Sequence, residues 1–222
     1  MIIPPVILIL TMPFFLVAEY RATRRVQVLP LKLLCSLCFV ATGGLGILLA
    51  GGTTNRTYDS LMLAGLLLSL LGDLALVWKD SRKAFTLGLG AFLVAQVVFG
   101  AAFSLVNGLS VWDLPLFAAL FLGPVAASRY LDLDVGQMKI PVLAYLLVIA
   151  FMFSKALSSL YLHGFTPPAD WLIPLGAGLF FASDGFLALF KFQRKKIQPF
   201  RAVNLITYYA GQVLLALSIF YF

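Results

Sequence analysis

Long, almost unbroken apolar runs constrain the fold of this chain more than any other feature of its sequence. A helix that crosses a bilayer needs roughly 20 mostly apolar residues. Eight runs of about that length or slightly shorter follow one another, at 2–18, 29–50, 60–78, 84–106, 114–128, 140–162, 171–190 and 202–221. They do not alternate with a period of two, which argues against a membrane barrel. The sequence therefore predicts an all-α membrane protein of eight transmembrane helices, with residues 1–222 forming a single polytopic domain.

Composition and charge support this class and orient the chain. Of the 222 residues 62% are hydrophobic and 11% are charged, and the mean hydropathy is +1.01, which excludes an ordinary soluble domain. Thirteen of the 16 lysines and arginines lie in four alternate loops. The positive-inside rule makes that face cytoplasmic and puts both termini on the other side. The net charge of +7 thus indicates contact with anionic lipid headgroups rather than nucleic acid. The expected location is the endoplasmic reticulum of a eukaryote or the cytoplasmic membrane of a bacterium.

Four ionisable residues lie inside the predicted spans: Lys32, Asp73, Lys155 and Asp184. A charge near the centre of a spanning helix costs about 2.5 to 3.5 kcal/mol on insertion scales, so such a residue normally has a partner or a function. Lys155 is close to the outer end of its span, and we expect it to snorkel to the interface. Lys32 has two alternatives, snorkelling to the cytoplasmic face or binding a phosphate.

The two acids occupy equivalent positions. Asp73 is five residues, roughly 7.5 Å, from the cytoplasmic end of its span, and Asp184 is six residues, roughly 9 Å, from the end of its own. A glycine precedes each acid by eight residues, at Gly65 and Gly176. The acids are also half a chain apart, which is consistent with two parallel four-helix repeats, 1–110 and 111–222.

Other polar residues accompany the acids. Taken singly, each is typical of an interfacial aromatic belt or of interhelical hydrogen bonding. Together they predict a site with Asp73 and Asp184 as the catalytic pair and with the substrate-binding residues Lys32, Gln96, Tyr145, Arg201, Asn204, Tyr208, Tyr209 and Gln212.

Two acids in one poorly hydrated cavity cannot both be ionised easily, so one would be neutral and one a carboxylate. That combination suits acid-catalysed hydrolysis of an ether-like bond in a lipid that enters from the bilayer. A small proton-coupled transporter would use the same acids. A lipid scramblase is a third alternative, and it would not depend on either acid.

Two segments of the chain resemble the signature regions of the lysoplasmalogenase, or YhhN, family. They are GLLLSLLGDLALVWKD followed by GLGAFLVAQVVF, and GAGLFFASDGFLALFKF followed by RAVNLITYYAGQVLLALS. The resemblance implies an eight-helix membrane enzyme that hydrolyses the vinyl ether bond of lysoplasmalogens. The products would be a fatty aldehyde and glycerophosphoethanolamine or glycerophosphocholine. The family's paired acids correspond to Asp73 and Asp184, whereas many members have histidine where this chain has Gln96.

We expect no metal or other cofactor, because the chain has a single histidine, His163, on a predicted outer loop. The pair Cys35 and Cys38 lies in an apolar span and is expected to pack rather than to bind metal or undergo redox chemistry. The expected partners are a lysophospholipid substrate and membrane lipids. The sequence leaves a homodimer open.

Overall fold

The computed structural model describes residues 2–22, 24–49, 55–78, 81–131, 133–162, 168–194 and 197–221. Within these residues the fold is all-α, as predicted. The helices are α1 (Ile3–Arg21), α2 (Leu29–Leu49), α3 (Arg56–Ala75), α4 (Arg82–Asn107), α5 (Asp113–Ser128), α6 (Lys139–Leu162), α7 (Pro168–Phe192) and α8 (Pro199–Ser218). His163 and three of the counted basic residues, Lys79, Lys195 and Lys196, lie outside the described residues.

Seven of the described helices are long and apolar enough to cross a bilayer. The exception is α5, which has only 16 residues. At 1.5 Å per residue it is about 24 Å long, shorter than the roughly 30 Å hydrocarbon core. The chain is thus a multi-pass membrane protein, and passage of α5 through the whole bilayer stays a prediction.

The chain divides into two compact units. Unit 1 comprises residues 1–99 and 215–222, and unit 2 comprises residues 100–214. The proposed repeat with halves 1–110 and 111–222 stays a prediction.

In unit 1, glycines let α3 and α4 approach closely. A Cβ added at Gly65 would overlap the ring of Phe99, and one added at Gly72 would lie 2.7 Å from the ring of Phe92. Small residues permit such close helix packing inside membranes, where lipid tails are as apolar as the protein surface. These two contacts fix the register of α3 against α4, and Gly72 directly precedes Asp73.

In unit 2, α6 packs against both α5 and α7, and α7 approaches α8 at a glycine. A Cβ added at Gly211 would lie 2.8 Å from the carbonyl oxygen of Gly176 and 3.1 Å from the backbone nitrogen of Phe180. Gly65 and Gly176, the two glycines that precede the acids by eight residues, are therefore both at close helix contacts.

Candidate active site

Asp73 lies in a buried, charge-paired cluster of unit 1. Its Oδ1 atom is 3.3 Å from Nζ of Lys32, and its Oδ2 atom accepts a 2.7 Å hydrogen bond from Oγ of Ser36. Lys32 and Ser36 are four residues apart on α2, so both reach α3 from the same helix face. Both oxygens of the Asp73 carboxylate are thus engaged by α2.

Burial makes the Lys32–Asp73 pair costly to break. Lys32 is 2% exposed and Asp73 is 3% exposed. The snorkelling alternative for Lys32 is therefore wrong, because its ammonium group is buried beside Asp73. Removal of one partner from a buried ion pair leaves an uncompensated charge and typically costs about 3 to 5 kcal/mol.

Gln96 lies on the face of α4 that meets α3. Phe92, Gln96 and Phe99 recur at the four- and three-residue spacing of one helix face, and the two phenylalanines contact Gly72 and Gly65. Gln96 is fully buried, and neither atom of its side-chain amide has a hydrogen-bond partner in the described part of the chain. Such a group costs about 1 to 3 kcal/mol unless something satisfies it. This cost is consistent with the predicted role of Gln96 in substrate binding.

Asp184 has a different environment in unit 2. Its carboxyl group accepts a 2.5 Å hydrogen bond at Oδ2 from the hydroxyl of Tyr145 on α6. Tyr145 is buried, whereas Asp184 on α7 keeps part of its surface accessible. The sequence named Tyr145 as a substrate-binding residue, and the structure shows it in direct contact with Asp184.

A second polar chain in unit 2 links α8 to the residue before Asp184. Nη1 of Arg201 donates to Oδ1 of Asn204 at 2.8 Å, and Nδ2 of Asn204 donates to the carbonyl oxygen of Ser183 at 2.9 Å. Arg201 and Asn204 are both buried. Asn204 therefore anchors α8 to the turn of α7 that presents Asp184, and Arg201 orients Asn204.

The remaining predicted site residues lie further along α8. Tyr208 packs edge-on against Phe180, with ring centroids 5.4 Å apart, and against Tyr209 at 4.8 Å. Phe180 is one helical turn before Asp184. Tyr209 and Gln212 are fully buried and Tyr208 is 5% exposed, so all three α8 residues are buried side chains.

Asp73 belongs to unit 1 and Asp184 to unit 2. Each acid lies near predicted site residues of its own unit, which either contact it directly or lie on neighbouring helical turns. That the two acids serve one site stays a prediction.

The snorkelling prediction for Lys155 is wrong. Lys155 is fully buried, and its Nζ lies 2.7 Å from Oδ2 of Asp113. The same ammonium group donates to the carbonyl oxygen of Gly108 at 2.5 Å, while Ser158 and Tyr161 donate to Oδ1 of Asp113 at 2.5 and 2.6 Å. The sequence did not predict Asp113 as the partner of Lys155, because Asp113 precedes the predicted fifth span by one residue.

Ser36 was also missed, because a lone serine in an apolar helix gives no signal of its own. Its spacing of four residues from Lys32 is the one sequence feature that could have identified it. Cys35, beside Ser36, is a buried free thiol, as is Cys38, which confirms that both cysteines pack in the interior.

These features define a class: a helical multi-pass membrane protein with acids buried or partly buried inside its helical units, each held by specific polar partners. Within that class the YhhN family model matches residues 9–219. The chain belongs to the YhhN family.

Curated relatives agree with this membership. The chain is 32% identical over 194 residues to "Lysoplasmalogenase TMEM86A" of Bos taurus, covering 85% of this chain and 75% of the relative. The Homo sapiens protein of the same name is 32% identical over 198 residues, with the same coverage. "Lysoplasmalogenase TMEM86B" of Mus musculus is 35% identical over 160 residues, covering 71% of this chain and 62% of the relative. No solved structure matches the chain.

Proposed function

We propose that this protein is a lysoplasmalogenase. It hydrolyses the vinyl ether bond of alkenyl lysophospholipids and releases a fatty aldehyde together with glycerophosphoethanolamine or glycerophosphocholine. The observation that carries the proposal is the 32% identity, across 85% of this chain, to relatives named lysoplasmalogenases. The intramembrane acids support it, because this chemistry needs a proton donor inside an apolar protein.

The reaction begins with transfer of a proton to the β-carbon of the vinyl ether. The electron pair of the carbon–carbon double bond forms the new C–H bond, and the α-carbon becomes an oxocarbenium ion. Water then attacks the α-carbon and loses a proton, which gives a hemiacetal. The hemiacetal collapses to the aldehyde and the free glycerol hydroxyl. One neutral acid and one carboxylate are sufficient for these steps, and Asp73 and Asp184 are the proposed pair.

The phosphate of the substrate is assigned to Arg201. A guanidinium group binds phosphate through two parallel hydrogen bonds, and Arg201 lies in the first turn of α8, where the helix dipole favours an anion. Phosphate binding was also one of the two alternatives that the sequence left open for Lys32. Since Lys32 is paired with Asp73, we now propose that it acts on the carboxylate rather than on the phosphate.

In unit 1, Gln96 is proposed to bind substrate. In unit 2, the proposed role of orienting water falls to Tyr208, Tyr209 and Gln212. The alkenyl chain would reach the apolar surfaces of the helices from the bilayer. A multi-pass membrane protein presents such a route directly to a lipid substrate.

The test is aldehyde release by the protein purified in detergent and supplied with an alkenyl lysophospholipid. We expect stoichiometric formation of fatty aldehyde and the glycerophosphodiester. Asp73→Asn and Asp184→Asn should each slow the reaction by about 10² to 10⁴, the usual contribution of an acid or base group.

Each acid has a matched control in its own helix. Asp59 on α3 and Asp170 on α7 are buried acids, so Asp59→Asn and Asp170→Asn reproduce the chemical change outside the proposed site. Both controls should retain activity. Proton-dependent uptake into vesicles without aldehyde would instead support a transporter, and lipid flipping that survives both substitutions would support a scramblase.

A further inference from the structure

The connection between α4 and α5 arranges its side chains in the opposite way to a loop in water. Its apolar side chains are open to the surroundings: Leu109 is 87% exposed, Val111 82% and Trp112 64%. The polar residues at its two ends, Asn107 and Asp113, are buried. In water, a contiguous group of exposed apolar side chains is unfavourable and marks a surface that contacts something else. The connection is therefore suited to apolar surroundings.

Protein groups satisfy polar backbone atoms of this connection. Nζ of Lys155 donates to the carbonyl oxygen of Gly108 at 2.5 Å. The backbone nitrogen of Ser110 donates to Oδ2 of Asp113 at 2.9 Å, and the backbone nitrogen of Asp113 donates to the carbonyl oxygen of Ser110 at 3.1 Å. Lipid tails offer no donors or acceptors, so a backbone among them must make its hydrogen bonds within the protein. These bonds replace those that water makes with an aqueous loop.

The buried ion pair of Lys155 and Asp113 anchors the connection to α6. Oδ2 of Asp113 accepts a bond from Lys155 at 2.7 Å, and Oδ1 accepts bonds from the hydroxyls of Ser158 and Tyr161. At the other end of the connection, Nδ2 of Asn107 donates to the carbonyl oxygen of Lys155 at 2.8 Å. All of these residues belong to unit 2. Both ends of the connection are thus fixed on neighbouring turns of one helix.

The exposed apolar side chains continue the surface of a membrane-spanning helix. α4 is long and apolar enough to cross a bilayer, and Leu105 in its last turn is exposed directly before the connection. Leu114 in the first turn of α5 is exposed directly after it. The sequence has no charged residue from 84 to 112, so no charge in this stretch has to be hydrated. The lipid that surrounds α4 is therefore the partner that fits the connection.

The length of α5 indicates how deep the connection lies. Arg129 follows α5 and is exposed, so it fits the headgroup level of the opposite bilayer face. An α5 that crosses from that level, with its 16 residues, ends about 6 Å inside the hydrocarbon boundary on the side of the connection. Tryptophan favours this boundary because its ring is apolar and its N–H group is polar. Trp112 is thus at a level that suits its chemistry.

A groove beside the connection has the same apolar character. It is open, has a volume of about 620 Å³, and is lined by Trp112, Pro115, Leu116 and Tyr161. The hydroxyl of Tyr161 donates to Asp113, so the polar end of that side chain is already satisfied within the protein. An acyl chain matches such a lining, because it needs no hydrogen bonds.

We propose that Leu109, Val111, Trp112 and Leu114 form a lipid-contact surface, inserted among the acyl chains of one leaflet at the headgroup boundary. The bilayer lipid is the partner, and one of its acyl chains occupies the groove beside Trp112. Lipid contact at this surface does not depend on the proposed hydrolase activity.

Tryptophan quenching in lipid nanodiscs tests the proposal, since both faces of a nanodisc are open to solvent. The double variant Trp78→Phe/Trp171→Phe leaves Trp112 as the single tryptophan. Lipids brominated on the acyl chain near the headgroup should quench its fluorescence. The difference between the wild type and Trp112→Phe gives the same information with the other two tryptophans retained.

The matched control moves the single tryptophan to another exposed valine between two helices. Val26 lies between α1 and α2 and is exposed, next to the exposed Gln27. Val26→Trp, in a chain whose three native tryptophans are phenylalanine, should be open to acrylamide in the water. Acrylamide should quench Trp112 about fivefold less than this control, because lipid covers Trp112.

Two results would overturn the proposal. Acrylamide quenching of Trp112 as strong as that of the control would place the connection in water. Protection from acrylamide without quenching by the brominated lipid would mean that protein, and not lipid, covers the surface.

Discussion

Nζ of Lys32 on α2 lies 3.3 Å from Oδ1 of Asp73 on α3, and both side chains are almost completely buried. A buried ion pair is weak evidence for stability, because desolvation of the two charges offsets much of their attraction. It is better evidence that each of the two charges depends on the other as its counter-charge. The first prediction follows from that dependence.

Lys32→Met should leave the buried Asp73 carboxylate without its counter-charge. The free energy of unfolding, measured in detergent, should fall by about 3 to 5 kcal/mol, and aldehyde release should fall by about 10² because the proposed catalytic acid loses its partner. Lys83→Met, which removes an exposed cation from the first turn of α4, is the control and should change neither readout. If Lys32→Met keeps full activity, the ion pair has no role in catalysis.

The Lys155–Asp113 pair should matter for folding rather than for the reaction. Lys155→Met should lower the free energy of unfolding by about 3 to 5 kcal/mol, because Asp113 loses its counter-charge. The double variant Lys155→Met/Asp113→Leu should recover most of the loss, since no buried charge remains. Equilibrium unfolding in mixed detergent micelles provides the values, and strictly additive losses would show that the two residues are not coupled.

Gln96→Met should separate stability from substrate binding. The substitution nearly conserves volume and removes an amide whose two polar atoms lack partners among the described residues, so the free energy of unfolding should stay the same or rise by about 1 kcal/mol. The value of kcat/KM should fall by up to about tenfold, because one hydrogen bond to substrate or water is lost. Unchanged kinetics would remove Gln96 from the site.

Gly72→Ala should disturb both packing and the position of Asp73. The added methyl group meets the Phe92 ring at 2.7 Å, and overpacking of this kind costs about 1 to 3 kcal/mol. Gly90→Ala on α4 is the control, because nothing lies within 4 Å of an added Cβ there. It should stabilise the helix by up to about 1 kcal/mol. Thermal unfolding in detergent measures both, and equal shifts would contradict the close approach of α3 and α4.

Arg201→Lys should raise KM more than it lowers kcat. Lysine keeps the positive charge but cannot form two parallel hydrogen bonds with phosphate or reproduce the bond to Asn204. Arg24→Lys, in an exposed loop position, is the matched control and should leave both constants unchanged. A fall in kcat with an unchanged KM would place Arg201 in the chemical step instead of in phosphate binding.

The helices were largely predictable from the sequence because bilayer thickness imposes length and composition on them. The predicted span 140–162 corresponds to Lys139–Leu162, and 171–190 lies within Pro168–Phe192. The intramembrane acids were equally easy to identify, because a charged side chain among leucines is energetically costly wherever the helix packs. The depth of each acid in the bilayer was inferred from the loop charges and stays a prediction.

The ion-pair and hydrogen-bond partners of the intramembrane residues were harder to predict. They depend on how each helix is rotated and on which helices are its neighbours, and the local sequence does not encode that packing. The position of Lys155 near the end of its span favoured snorkelling, and for Lys32 snorkelling and phosphate binding were both open. In the structure each lysine is buried and paired with an acid. Ser36 resembles any other small residue in an apolar helix until α3 is placed against it. Tyr145 was among the predicted site residues, but its bond to Asp184 came only from the structure.

The central claim, cleavage initiated by proton transfer to carbon, is tested most directly by the reaction in D₂O. The aldehyde released from an alkenyl lysophospholipid is trapped at once by reduction to the alcohol, so that later exchange is excluded, and is analysed by mass spectrometry. The account predicts one deuterium on the carbon next to the former carbonyl carbon, and a rate that collapses in Asp184→Asn but not in Asp170→Asn. Product without that deuterium, or wild-type protein that releases no aldehyde, would contradict it.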